Sequence, residues 1–97
     1  MDTVTFERVY VASIEQSNAI NAVTDKDCKA KDMAGMYADC IIADTAAQRD
    51  GLPRVDWHVV NGAITQRWPK GLTRIKTAAW RLLSARRVGL TTPPPTS

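Results

Sequence analysis

The sequence predicts a small all-α domain of four helices, and three observations lead to this fold class. Apolar residues recur at intervals of three and four along most of the chain, which is the spacing of one helix face. Residues that start or stop helices, chiefly Asp, Gly and Pro, separate these stretches. A length of 97 residues with 44% hydrophobic and 24% charged residues is typical of one globular domain. We expect this domain to cover residues 1–89.

The first helix is predicted from about Thr5 to Ala22. A strand over Val4–Val11 is the alternative, because this stretch is rich in β-branched and aromatic residues. The alternation that a half-buried strand requires is broken at Glu7 and Arg8, which favours the helix. The predicted buried face consists of Phe6, Val9, Tyr10, Ser13, Ile14 and Ser17.

The second helix is predicted from Asp25 to Arg49. Thr24 or Asp25 would cap its N-terminus, and Asp27 would interact favourably with the helix dipole in the first turn. Gly51 would end the helix in the left-handed conformation. The predicted buried stripe consists of Ala30, Met33, Tyr37, Cys40, Ile41 and Ala47.

The two cysteines, Cys28 and Cys40, both fall in the predicted second helix. Their positions in one helix would be about 18 Å apart, whereas a disulfide needs Cα atoms within about 7 Å. We therefore expect two reduced thiols. Their spacing matches no zinc site and His58 is the single histidine, so the sequence predicts no metal site.

The third and fourth helices are predicted over Trp57–Trp68 and Leu72–Arg86, with a short Pro-Lys-Gly turn between them. Asp56 is placed to cap the third helix, and Val55 and Val60 can form a hydrophobic staple across that cap. We expect the two helices to form a tight, basic helical hairpin. The predicted apolar stripe of the fourth helix consists of Leu72, Ile75, Ala79, Leu82 and Leu83.

The core is expected to combine large apolar residues from all four helices. Residues 90–97 contain three consecutive prolines and no apolar periodicity, so we expect a flexible, mobile Pro/Thr-rich tail after the domain. The predicted core consists of Phe6, Tyr10, Ile14, Met33, Tyr37, Ile41, Trp57, Val60, Ile64, Trp68, Leu72, Ile75, Ala79 and Leu82.

Charge is distributed unevenly along the chain. Residues 1–56 contain all ten acidic residues and six basic ones, a net charge of −4. Residues 57–97 contain seven basic residues and no acidic one, a net charge of +7. Such asymmetry is typical of a surface that binds a polyanion. The predicted residues for binding nucleic acid or a partner are Arg67, Lys70, Arg74, Lys76, Trp80, Arg81, Arg86 and Arg87.

The basic residues of the fourth helix have two other interpretations. They can pair with the acidic first half of the same chain, while Trp80 packs under a neighbouring helix. The short turn also fits a helix-turn-helix unit, whose second helix enters the major groove of DNA. Arg67 stands four residues before Gly71 and weakens this second interpretation, because close packing of the two helices would require a small residue there.

The sequence predicts a protein without enzymatic activity and without a cofactor. It contains no glycine-rich phosphate loop and no nucleophilic serine motif. His58 lies in the first turn of a helix, where a histidine is usually a surface residue. The chain shows no secretory signal and no run of about 18 apolar residues. We therefore expect a cytoplasmic protein that does not bind membranes.

A run in the second half of the chain, AAQRDGLPRVDWHVVN at residues 46–61, is followed by five residue pairs that continue the same pattern. These pairs are Ala63-Ile64, Arg67-Trp68, Gly71-Leu72, Ile75-Lys76 and Ala79-Trp80. This half of the chain resembles small proteins of bacteriophages and prophages. The resemblance implies a short phage-type gene product made in a bacterial cytoplasm, and it implies no activity and no functional residue. The first half shows no such resemblance.

Two functions follow as competing hypotheses. The first is binding of nucleic acid by the basic hairpin. The second is a protein-protein interaction module that binds and modulates a bacterial host complex through aromatic and arginine anchors. Salt distinguishes the two, because binding to phosphates weakens steeply with ionic strength whereas a packed protein interface responds weakly.

Overall fold

The computed structural model describes residues 9–86 of the chain, apart from the side chain of Arg86. These residues form four α-helices and contain no β-strand, so the predicted all-α class is confirmed. The predicted tail at residues 90–97 and the predicted binding residue Arg87 lie outside the described residues. The helices are α1 (Ala12–Thr24), α2 (Met33–Asp50), α3 (Trp57–Arg67) and α4 (Leu72–Arg86), and a 3-10 turn at Ala30–Asp32 precedes α2.

The central helix is α2, which packs against both α1 and α4. Every residue from Tyr37 to Asp44 is buried, as expected for a helix that neighbours cover on more than one face. α3 packs mainly on α1, whereas α4 packs mainly on α2. The turn between α3 and α4 is short, as predicted, and the two helices contact each other only to a small extent.

α1 differs from the prediction in its start and in its buried face. Val11 is extended, with φ −116° and ψ 126°, and the helix begins at the next residue. A start at Thr5 is therefore wrong for residues 9–11, which also form no strand, while residues 4–8 lie outside the described part of the chain. Ile14, which was expected in the core, is 55% exposed. The residues that α1 buries are Ala12, Glu15, Ala19 and Val23.

Side-chain size explains this error. The predicted face follows the spacing of one helix face and includes the large apolar residues Phe6, Tyr10 and Ile14, whereas three of the four buried residues of α1 are alanine or valine. Small aliphatic side chains fit a close-packed contact between two helices, where a larger side chain would have to be accommodated by movement of its neighbours. The face of α1 was therefore selected by its fit to α2 more than by its hydrophobicity.

The predicted start of the second helix at Asp25 is wrong. α1 continues to the preceding residue, and α2 begins only at Met33. Asp25 Oδ1 accepts a hydrogen bond from the N–H of Asp27 at 2.9 Å. Asp32 Oδ2 accepts one from the N–H of Lys29, also at 2.9 Å. Short acidic side chains of this kind compete with a helix for backbone donors. Asp25 and Asp32 therefore stabilise a turn instead of a helix start.

The later helix boundaries follow the predictions closely. Gly51 has a φ of 70° and ends α2, with its N–H donating to the carbonyl of Ala47. Asp56 caps α3 by accepting a hydrogen bond from the N–H of Val59 at 3.2 Å. α3 ends at Arg67, one residue earlier than predicted, and α4 has the predicted bounds. Local capping signals therefore determine this half of the fold.

Half of the predicted core is fully buried. The buried members are Met33, Tyr37, Ile41, Val60, Ile64, Ile75 and Ala79. The partly buried members are Tyr10, Trp57, Trp68, Leu72 and Leu82. Phe6 lies outside the described residues. The prediction omitted alanines that the helices bury completely, and it omitted three buried acidic residues, Glu15, Asp39 and Asp44.

Asp44 connects α2 to the segment before α3. Its carboxylate accepts hydrogen bonds from Arg54 Nε at 3.1 Å and Arg54 Nη2 at 2.6 Å. It also accepts from the N–H of Val55 at 3.0 Å and from Trp57 Nε1 at 3.1 Å. Burial raises the pKa of Asp44, but these hydrogen bonds outweigh burial and leave the pKa below its ordinary value. The ionised carboxylate of Asp44 therefore holds the segment before α3, at Arg54 and Val55, against α2.

We predict that the free energy of unfolding falls as the pH rises from about 9 to about 12. Burial raises the pKa of Cys40 from 9.0 to about 12 and the pKa of Tyr37 from 10.0 to about 12. In this range the native state keeps protons that the unfolded chain loses, so a rise in pH favours unfolding. Urea titrations at about pH 8 and about pH 11 measure the effect, and equal free energies at both would contradict it. A Cys40→Ala variant should show a smaller fall.

Candidate nucleic-acid interface

The guanidinium of Arg67, the first of the predicted binding residues, lies against the turn that follows α1. Its Nη1 donates to the carbonyl oxygens of Val23 and Asp25. Its Nη2 donates to the carbonyl oxygens of Lys26 and Cys28, at 3.1 and 2.7 Å. These bonds use four of the five N–H donors that a guanidinium has. Arg67 is therefore engaged within the protein and is not assigned to a nucleic-acid-binding surface.

Arg67 also completes the C-terminal end of α1. The last carbonyls of a helix have no partner within it, and the last turn of α1 contains no basic residue. The carbonyls of Asn21 and Ala22 accept local hydrogen bonds, and the next one, that of Val23, accepts from Arg67. A cation at this position also interacts favourably with the negative end of the helix dipole. Arg67 thus ties α3 to α1.

A band of exposed polar side chains follows α4, and we call it the α4 outer face. At 100° per residue its five positions fall within an arc of about 100°. Arg74 and Arg81 are two turns apart, which is about 10.5 Å along the helix axis. The band combines two cations with three hydroxyl groups and contains no carboxylate. It consists of Thr73, Arg74, Thr77, Arg81 and Ser84.

The structure distributes the other predicted binding residues over different places. Lys70 is exposed in the turn before α4, and Lys76 is exposed between the buried stripe and the α4 outer face. Trp80 lies next to the α4 outer face on the same side, and it packs against the core while remaining partly exposed. The side chain of Arg86 and the whole of Arg87 lie outside the described residues.

The exposed cations of this region form no ion pair within residues 9–86. The ion pairs that these residues do form join Arg49 to Asp50 at 3.3 Å and Arg54 to Asp44 at 2.6 Å. No ion pair within residues 9–86 therefore joins the basic second half of the chain to the acidic first half. The charges left available to an external anion belong to Lys70, Arg74, Lys76 and Arg81.

A groove of about 870 Å³ lies beside the α4 outer face, and we call it the turn groove. It is bounded by the start of α2, by the turn between α3 and α4, and by the first half of α4. Of the described side chains, no acidic one lines it. Its apolar lining includes Ala34, Trp68, Ile75 and Ala78, and its exposed cations are Lys31, Lys70 and Arg74.

Trp68 lies at the turn groove, between Arg67 and the backbone of Gly71. The guanidinium carbon of Arg67 lies 4.6 Å from the centroid of the Trp68 ring. A Cβ atom added to Gly71 would lie 2.9 Å from Trp68 Cβ, which is too close for any other residue without a backbone shift. The turn therefore requires a glycine at position 71.

Lys31 is the one cation of the turn groove that sequence reasoning missed. It stands among acidic residues in the half of the chain that carries a net negative charge, and no local pattern distinguishes it. The packing of α2 against α4 brings it to the groove beside Lys70 and Arg74, which are about 40 residues away in sequence. A tertiary contact of this kind leaves no signal in a single sequence.

Both cysteine thiols have a raised pKa. Burial and the carboxylates of Glu15, Asp39 and Asp44 raise the pKa of the Cys40 thiol to about 12, and burial with Asp32 raises the pKa of Cys28. Both thiols are therefore poor nucleophiles. Within residues 9–86, no group of three or more His, Cys, Asp or Glu side chains is placed to hold a metal ion. In the same range, every helix is too short or too polar to cross a membrane.

The chain matches no protein-family model, no curated protein and no solved structure. The resemblance of its second half to small phage proteins therefore has no support beyond the residues that carry it.

Proposed function

We propose that this protein is a non-enzymatic nucleic-acid-binding protein that contacts the phosphate backbone through the α4 outer face. The observation that carries the proposal is the composition of that face, two arginines and three hydroxyl groups with no carboxylate. Arginine, serine and threonine supply many of the contacts that proteins make to phosphate oxygens. The resemblance of the second half adds a proposed setting, a phage-type gene product in a bacterial cytoplasm.

The placement of the cations supports this function over internal neutralisation. Arg74 and Arg81 are exposed, and neither forms an ion pair within residues 9–86. Their side chains leave α4 about 10.5 Å apart along its axis, so each can approach a different phosphate of one backbone.

Recognition of adenine by a side-chain amide is not available to the α4 outer face, because it contains no asparagine or glutamine. The helix-turn-helix interpretation also loses support, because α3 and α4 pack chiefly on different neighbours and Arg67 is committed to backbone carbonyls. We therefore propose contact with phosphates as the main source of affinity.

Charge reversal on the α4 outer face tests this function. We predict that Arg74→Glu with Arg81→Glu lowers the affinity for a labelled DNA duplex by about 100-fold, since two favourable phosphate contacts become repulsive. The thermal midpoint should stay nearly unchanged because both side chains are exposed. Fluorescence anisotropy measures the affinity, and a melting curve measures the midpoint.

The matched control is Lys26→Glu with Arg49→Glu. These two exposed residues belong to neither α4 nor the lining of the turn groove, and the control changes the net charge of the protein by the same amount. Its affinity for the duplex should fall far less than that of the α4 double variant. An equal loss in both double variants would show that overall charge, and not the α4 outer face, determines binding. A large loss of stability in the α4 variant would show that the arginines are structural.

A protein partner is the second candidate, and one observation favours it. Three large apolar residues near the start of α1 are exposed, with Val9 at 78%, Val11 at 41% and Ile14 at 55%. Exposed apolar residues that lie near one another are a feature of protein interaction sites. Binding to a protein through this patch would persist at high salt and would be unaffected by Arg74→Glu with Arg81→Glu, which separates it from the first candidate.

A further inference from the structure

We propose that the turn groove takes unstacked bases of a single-stranded nucleic acid, while the cations at its edge hold the adjacent phosphates. The inference rests on the proposed function, since it assigns the same class of ligand. It adds a second contact surface and a preference for single strands over duplexes. Proteins that bind single strands without sequence preference combine a cationic groove with aromatic side chains on which bases stack.

The lining of the turn groove suits the face of a base. Ala34 and Ile75 are buried at its bottom, and Trp68 and Ala78 are partly exposed on its walls. The volume of about 870 Å³ lies in the range of ligand-binding clefts. An apolar surface of small side chains beside an indole offers stacking and removal of apolar area from water, and it offers few hydrogen bonds that would select one base. We therefore expect little difference between pyrimidine and purine strands.

The charges around the turn groove select an anionic chain. Lys31, Lys70 and Arg74 line it and are exposed, and none of them forms an ion pair within residues 9–86. Asp32 is the acidic residue next to Lys31 in sequence; its carboxylate accepts a hydrogen bond from the Lys29 N–H, and it does not line the groove. The groove is thus complementary in charge to phosphates on either side of a bound base.

Arg74 joins the turn groove to the α4 outer face, because it belongs to both. A single strand that places bases in the groove can continue its backbone along α4 towards Arg81. A duplex can contact the α4 outer face only with its phosphates, since its bases are stacked and paired inside. An apolar segment of an acidic protein is the competing occupant of the groove. Such a segment would gain no favourable contact from the hydroxyl groups of the α4 outer face.

Filling the groove without changing charge tests the inference. In Ala78→Phe a large side chain enters the groove, whereas in Ala46→Phe the same change is made at a helical alanine of similar exposure outside it. The probes are a labelled 12-nucleotide oligo-dT, a 12-nucleotide oligo-dA and a 12-base-pair duplex, measured by anisotropy. We expect the unchanged protein to bind both single strands about tenfold or more tightly than the duplex.

Ala78→Phe should remove this preference and leave duplex binding unchanged, while Ala46→Phe should alter neither. Trp68→Leu, checked for folding by circular dichroism, should weaken single-strand binding about tenfold by loss of the stacking surface. Equal binding of strand and duplex, or a preference that survives Ala78→Phe, would overturn the inference and leave the proposed function intact. Failure of all three probes to bind would overturn the proposed function as well.

Discussion

Replacing Asp44 by alanine is expected to lower the free energy of unfolding by about 2–4 kcal/mol, because it removes a buried carboxylate that accepts four hydrogen bonds. The loss leaves the Val55 N–H and the Trp57 indole N–H without their acceptor in the interior, and buried donors without partners are costly. It also releases Arg54, whose guanidinium holds the segment before α3 against α2. Urea unfolding followed by tryptophan fluorescence measures the change.

The matched control is Asp50→Ala, which removes the exposed ion pair with Arg49. This change should alter the free energy of unfolding by no more than about 0.5 kcal/mol, as is usual for pairs in contact with solvent. The two variants also differ in their response to acid. The pKa of Asp44 is lowered in the folded state, so its stabilisation is present above the ordinary Asp range and is lost as the pH falls through the lowered pKa. An Asp44→Ala protein as stable as Asp50→Ala would contradict this account.

The second large effect is expected at Arg67, where alanine should lower the free energy of unfolding by about 2–4 kcal/mol through loss of several charge-assisted hydrogen bonds. Four carbonyls at the end of α1 and in the turn after it lose their donor. Arg67→Lys should recover only part of this loss, because an ammonium group keeps the charge near the helix end but cannot span four carbonyls.

Arg74→Ala is the control for this prediction, since Arg74 is exposed and forms no ion pair within residues 9–86. It should change the free energy of unfolding by no more than about 0.5 kcal/mol while weakening nucleic-acid binding. The two arginines therefore separate a structural role from a binding role. If Arg67→Ala were as stable as Arg74→Ala, the contacts of Arg67 with the backbone would contribute nothing and it would return to the set of binding residues.

The second half of the fold could be predicted from sequence because its signals are local. Asp56 caps α3 by accepting a hydrogen bond from the N–H of Val59, three residues later in the chain. Gly51 ends α2 because it adopts the left-handed backbone conformation. Proline and glycine confine the turn before α4 to a few residues. Signals of this kind act within about one helical turn and do not depend on the rest of the molecule.

The first half could not be predicted in the same way because tertiary contacts decide it. The buried face of α1 is selected by its packing on α2, and the acidic residues near Asp25 stabilise a turn that Arg67 reaches from 42 residues away. The binding surface shows the same division. The periodicity of α4 predicted the exposure of Arg74 and Arg81, whereas only the folded chain shows that Arg67 is committed elsewhere and that Lys31 joins the turn groove.

The most direct test of the proposed function is the salt dependence of binding to a short DNA duplex. Contact with two to four phosphates predicts that the logarithm of the affinity falls linearly with the logarithm of salt concentration, with a slope of about −2 to −4. The slope should become much shallower for Arg74→Glu with Arg81→Glu. Absence of binding at low salt, or an affinity that does not change with salt, would contradict the assignment of the α4 outer face to nucleic acid.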